Sequence, residues 1–140
     1  MNLKEKFQDL GLLFLRIGIG LMFMYHGYGK LTGGPVIWEK LGKAMIHVGI
    51  DFSPELFGLL ASLTEFGGGI CLILGLYFRM ACSFLFFTMT IASIKHLAGG
   101  DGLKVASHAI EAGILFFSLI FIGAGKLSLD ETIRRRKNRS

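Results

Sequence analysis

Arg16, His26, Glu65, Lys95, His96, His108 and Glu111 all fall inside long apolar runs, and Lys30 follows His26 by one helical turn. A charge at the centre of a bilayer costs at least ~2.5–3.5 kcal/mol on insertion scales, so a membrane segment keeps such residues for a structural or functional purpose. His26 and Lys30 are four apart, His108 and Glu111 three apart, and Lys95 and His96 close the third run. Each pair therefore shares a helical face. Three runs thus bring imidazole, ammonium and carboxylate groups to one level, where they can exchange protons or hydrogen-bond a carbonyl or hydroxyl of a bound small molecule. His26, Lys30, Lys95, His96, His108 and Glu111 are the candidate ligand-binding residues. The competing reading of Lys30 and Lys95 is that they snorkel to the interface. Arg16 and Glu65 lie deeper, ~9 Å and ~14 Å from opposite membrane edges at ~1.5 Å of rise per residue. They are expected to form an ion pair that either fixes helix register or, with Glu111, marks a catalytic centre or solute path. His108 and Glu111 resemble part of a metal set, but the order is inverted relative to Glu-x-x-His and no duplicate exists, so no metal is expected.

The elements that must position these groups are four apolar stretches, residues 10–29, 56–78, 80–98 and 105–124. About 20 apolar residues suffice to cross a bilayer as a helix. The chain has 140 residues, 52% of them hydrophobic, with a mean hydropathy of +0.58. A soluble bundle would show polar helix faces, and these runs show none over most of their length. Strands are excluded by run length, by the lack of period-two alternation and by the unsatisfied edges an open sheet would present to lipid. Arg16 and the lack of a small-residue cleavage site argue that the first run is an uncleaved helix and not a signal peptide. The expected fold is an all-α bundle of four transmembrane helices over residues 1–132, followed by a polybasic cytoplasmic tail at 133–140.

Residues 30–55 form the longest connection, bounded by Pro35 and Pro54. Within it Val36, Ile37, Trp38, Leu41, Met45 and Val48 alternate with Glu39, Lys40, Lys43 and His47 at helical spacing. This predicts a short amphipathic helix at the interface, anchored by Trp38, acting as a lid over a cavity or as a plain surface helix. The short turn at Arg79 makes the second and third spans antiparallel neighbours. Gly99, Gly100, Asp101 and Gly102 make a turn and not a phosphate loop, since no GK[ST] follows. Gly58 with Ser62, Ala109 with Gly113, and the run Gly67, Gly68 and Gly69 are expected to serve close helix packing. Nine Lys and Arg on one side against five on the other, with Arg16 in the membrane, place both termini in the cytoplasm. The basic tail fits anionic lipid better than nucleic acid. Cys71 and Cys82 sit in apolar segments with no CxxC and are read as packing residues.

The segments RIGIGLMFMYHGYGKLTGG, TEFGGGICLILGLYFRMA and GAGKLSLD, in this order, resemble the DoxX family over nearly the whole chain. The matching residues are Arg16, His26, Gly27 and Lys30, then Glu65, Gly68, Gly75 and Arg79, then Gly123, Gly125, Ser128, Leu129 and Asp130. The resemblance implies a small four-helix protein of the bacterial inner membrane, of a kind described as an oxidoreductase component. The family name derives from a thiosulfate:quinone oxidoreductase in which a relative is one subunit. Fold does not carry that activity with it, so whether the chain is itself an enzyme stays open. No haem-ligand pair, flavin motif or dinucleotide fingerprint is present, so electron transfer would need a quinone or a partner oxidoreductase subunit. The leading expectation is a redox-associated subunit that binds a quinone-like molecule in the polar cluster, with Phe23, Tyr25, Tyr28, Phe116 and Phe117 lining the cleft. The alternatives are a transporter or channel element, which would require a homo-oligomer, and a non-catalytic assembly subunit.

Overall fold

Each apolar run folds as one long helix in the computed structural model, which describes residues 3–138. Helices α1 (Leu3–Thr32), α3 (Pro54–Leu74), α4 (Phe78–Ala98) and α5 (Leu103–Ile122) are long and apolar enough to cross a membrane. Between α1 and α3 lie α2 (Gly34–Gly42) and a 3-10 segment (Lys43–Val48), and α6 (Leu129–Lys137) ends the chain. Among the described residues there is no strand. Helix α3 stops short of the expected boundary at 78 because Gly75 and Tyr77 take left-handed backbone, with φ of 62° and 46°. Such residues terminate a helix and reverse the chain.

The bundle has two ends. The α2 end collects the close of α1 and α4 and the start of α3 and α5. The α6 end collects the α3–α4 turn and the segment after α5.

In lipid, helices associate through close van der Waals contact, and glycine allows the closest approach. Gly20 and Gly27, two turns apart on α1, face α3. A Cβ on Gly27 would lie 2.3 Å from the Phe66 backbone nitrogen, and one on Gly20 would lie 2.7 Å from the Gly69 carbonyl oxygen. Gly69 answers in kind, 2.6 Å from the Gly20 carbonyl. Gly67, from the same glycine run, meets nothing within 4 Å and plays no part in this contact.

Helix α2 is seated the same way. A Cβ on Gly42 would overlap the Pro54 carbonyl and one on Gly58 the Trp38 carbonyl. Trp38 Nε1 donates to the Lys30 carbonyl at 3.0 Å, so the expected interfacial anchor also ties α2 back to α1. Helices α4 and α5 bury Phe78, Cys82, Leu85, Met89, Ala109, Ala112, Phe116 and Leu119 together. Phe23 of α1 reaches this core edge-on to Phe116 at 4.8 Å. Large apolar side chains cover the outside, including Phe14, Phe84, Phe87 and Phe121, as a lipid-facing surface requires.

Helix α6 was not expected, although the sequence carries a capping signal, Ser128 followed three residues later by Glu131. The Glu131 N–H donates to Ser128 Oγ at 3.3 Å. Glu131 also pairs with Arg134 and Arg135 at 2.7 Å. The polybasic stretch is therefore helical through Lys137, while Arg139 lies outside the described residues.

Gly27→Ala should destabilise the bundle by about 1–3 kcal/mol by forcing α1 from α3. Gly11→Ala, with open space around it, should be neutral or stabilise by up to ~1 kcal/mol. Unfolding in mixed micelles separates the two, and equal effects would contradict the packing. Hydrogen bonds from Arg134 and then Arg135 hold the Glu131 carboxyl down to about 2 from an ordinary 4.5. Its support of α6 is therefore complete above about pH 4.5 and lost as pH falls toward 2. Protection of α6 amides, taken relative to the intrinsic exchange rate at each pH, should fall across that window, and protection unchanged down to pH 2 would refute the assignment.

Candidate functional site

Arg16 does not pair with Glu65. Its guanidinium, 2% exposed, lies at the α6 end and donates to backbone carbonyls. Nη1 bonds the Ala124 carbonyl, and Nη2 bonds the Leu127 carbonyl at 2.9 Å and that of Ile73 at 3.4 Å. The Phe78 ring lies 6.0 Å from Cζ. A cation at the C-terminus of α3 meets carbonyls that have no partner within the helix. Gly75 must be glycine there, because a Cβ would sit 2.8 Å from Arg16 Nη1 and 2.6 Å from Ser128 Cβ.

Asp130 completes this end. Its two carboxylate oxygens accept from the Tyr77 and Phe78 N–H groups, each at 2.9 Å, and so cap α4. Its own N–H donates to the Gly75 carbonyl at 3.0 Å. The Lys126 N–H donates to Asp9 at 2.9 Å, and the Lys126 ammonium pairs with Glu5 at 2.7 Å. That hydrogen bond raises the Lys126 pKa above its ordinary value.

The ion-pair expectation failed on register. Arg16 meets α3 at Ile73 and Gly75, eight to ten residues beyond Glu65, or ~12–15 Å along the axis at ~1.5 Å per residue. No arginine side chain spans that distance. Depth counted from the ends of hydropathy runs assumes the spans are level, whereas the Gly20, Gly27 and Gly69 contacts set the actual stagger.

Glu65 pairs instead with Lys30, one turn beyond Gly27 on α1. Both carboxylate oxygens lie 2.6 Å from Lys30 Nζ. The Glu65 side chain is 4% exposed and that of Lys30 33%, so the ammonium is the partner that looks outward.

The pair forms part of the wall of a cavity of about 360 Å³ between α3, α4 and the α2 segment. Leu41, Ala44 and Met45 form one side, Phe57, Leu60 and Ala61 another, and Ile91 and Ala92 a third. Thr64, Thr88, Lys95 and His96 add polar groups. His96 Nδ1 meets Asp101 Oδ2 at 2.7 Å, tying the end of α4 to the glycine turn. Lys95 has no ion pair or hydrogen bond through its ammonium among the described residues. With Glu65 balanced by Lys30, Lys95 is the unbalanced charge of a chamber whose walls are mostly apolar. Such a site can donate hydrogen bonds to a carbonyl or anionic oxygen while apolar walls hold the remainder of a ligand.

The expected single cluster is thus divided. Lys30, Lys95 and His96 join Glu65 at the cavity. His26 and His108 meet elsewhere, ring to ring at 6.2 Å, on the α1–α5 side, where both are exposed. Glu111, also exposed, has no hydrogen-bond or ion-pair partner among the described residues. Among those residues no group of three or more His, Cys, Asp or Glu converges. None of Phe23, Tyr25, Tyr28, Phe116 and Phe117 lines the cavity. Phe23 and Phe116 are core residues, and Tyr25 and Tyr28 are exposed. Sequence reasoning missed Thr64 and Thr88, for which the only signal is that Thr64 directly precedes Glu65 and Thr88 stands two turns before Lys95 on α4.

A family model described as DoxX matches residues 11–97. An uncharacterised protein of Haemophilus influenzae is 36% identical over 136 residues, 93% of this chain and 96% of the relative. The inner membrane protein YqjF of Escherichia coli is 27% identical over 137 residues, 94% and 98% of the two chains. No solved structure matches.

Unfolding free energies should show Lys30→Met and Glu65→Gln to be coupled by about 1 kcal/mol or more, whereas Arg16→Lys and Glu65→Gln should add to within ~0.5 kcal/mol. A larger coupling between Arg16 and Glu65 would restore the discarded pair.

Proposed function

This chain belongs to the DoxX family, and from that premise we propose that it is a quinone-linked subunit of a membrane redox system. The cavity beside Lys30 and Glu65 holds the quinone head group. The observation that carries this reading is the unpaired Lys95 ammonium on the wall of a 360 Å³ chamber lined mostly by apolar side chains. Quinone carbonyls accept hydrogen bonds and carry no charge of their own, so they suit lysine donors within apolar walls. A chamber toward the small end of the ligand-pocket range takes one ring and the start of a tail. Glu65, Lys30 and His96 are then placed to exchange protons with the bound ring as its redox state changes. The chain supplies the binding site, and a partner oxidoreductase supplies or removes the electrons.

YqjF is named as an inner membrane protein, and the same location is proposed for this chain. The α6 end faces the cytoplasm, because Lys and Arg are concentrated there. A solute path through the bundle receives no support from Arg16, whose terminal nitrogens are taken up by carbonyls.

Trp38, the sole tryptophan, stands one turn from Leu41 of the cavity wall and reports on occupancy. A short-chain ubiquinone or menaquinone analogue titrated into protein in nanodiscs should quench its fluorescence saturably. Lys95→Gln should weaken binding about tenfold or more, as loss of a charged hydrogen-bond donor does. His26→Ala should leave it unchanged. Quenching that never saturates, or that responds equally to both substitutions, would overturn the proposal.

A further inference from the structure

The α1–α5 face at the α2 end differs from the rest of the membrane-facing surface. Elsewhere the exposed positions midway along the spans are mostly aromatic and aliphatic, as at Phe84, Phe87 and Phe121. Here His26, His108 and Glu111 are all exposed. Glu111 lies eight residues into α5, ~12 Å along the helix at ~1.5 Å per residue, a depth that falls within the hydrocarbon. No described residue pairs with it. Ionisable side chains at such depth face a protein interior or pair with one another, because acyl chains cannot solvate them. The single chain leaves that requirement unmet.

We propose that this face is buried against a second copy of the chain, with Glu111 of each copy meeting His26 and His108 of the other. Two-fold association demands a patch that is complementary to itself. This patch qualifies, since it carries one carboxylate and two protonatable imidazoles side by side. An unrelated partner would have to bring both signs in matching order, whereas a second copy does so by symmetry. The surroundings suit close approach. Gly18, Met22, His26 and Gly29 recur along one stripe of α1. Gly18 and Gly29 have nothing within 4 Å of where a Cβ would stand, so another helix can reach the α1 backbone. Ile114, one turn from Glu111 and 63% exposed, would lie inside the contact. The proposed ligand cavity is bounded mainly by α2, α3 and α4, so dimer formation leaves it open, and neither inference depends on the other.

The test uses full-length protein in its native membrane, with Cys71→Ser and Cys82→Ala as background. Oxidation should cross-link Ile114→Cys into a dimer of the chain, while Phe84→Cys on α4 should remain monomeric. In nanodiscs or liposomes, energy transfer between labelled copies should report association in the wild type. Glu111→Gln, which keeps the side-chain shape, should weaken it about threefold to twentyfold, the range measured for polar contacts between membrane helices. A monomer at every protein-to-lipid ratio would overturn the proposal. So would equal cross-linking at Phe84→Cys, cross-linking of Ile114→Cys only to another polypeptide, or association indifferent to Glu111→Gln.

Discussion

One guanidinium, buried at the α6 end, fixes where the helices stop. Arg16 rises from α1 into a nest of carbonyls at Ile73, Ala124 and Leu127. It thereby joins the first span to the end of α3 and to the segment that leaves α5. A lysine would offer a single point of charge there, whereas the planar fork serves acceptors in two directions at once. Gly75 gives the fork room, and Asp130 places a carboxylate at the start of α4. The two charges act on opposite helix poles, the cation on carbonyls at a C-terminus and the anion on N–H groups at an N-terminus. Neither is left for a ligand.

The α2 end has the opposite character. Its carboxylate is paired, but the pair borders a cavity, and Lys95 beside it is unbalanced. The glycine contacts between α1 and α3 link the two ends. They set the stagger that brings Arg16 to the end of α3 and Lys30 to Glu65, so one helix crossing positions both the structural charge and the candidate binding charge. Helix α2, seated through Gly42 and Gly58, then closes one side of the cavity. The division of labour is physical: at one end the terminal nitrogens of Arg16 and the carboxylate of Asp130 are bonded within the chain, and at the other Lys95 keeps donors to spare.

The four spans, the short helix after the first and the importance of glycine were readable in the sequence, because hydrophobic length and residue size act locally. Register was not. It depends on which glycines face a neighbour, and the chain has 20 of them; within the spans Gly11, Gly18, Gly29 and Gly67 meet nothing. The error over Arg16 and Glu65 follows from that alone. The candidate site was half readable: Lys30, Lys95 and His96 were recognised as polar groups near one level. Their separation from His26, His108 and Glu111 depends on the order of helices around the bundle, which no linear pattern states. The capping signal of Ser128 and Glu131 was present but overshadowed by the basic residues that follow it.

The proposed function requires that the chamber beside Lys30 and Glu65 be an open site and not an incidental gap between helices. Ala61 lines it. In a background without Cys71 and Cys82, the rate at which Ala61→Cys reacts with a membrane-impermeant thiol reagent measures access directly. Reaction is expected from the side opposite the α6 end, slowed by a saturating short-chain quinone, with that protection lost when Lys95→Gln is added. A thiol that stays inert, or that reacts at a rate no quinone changes, would contradict it.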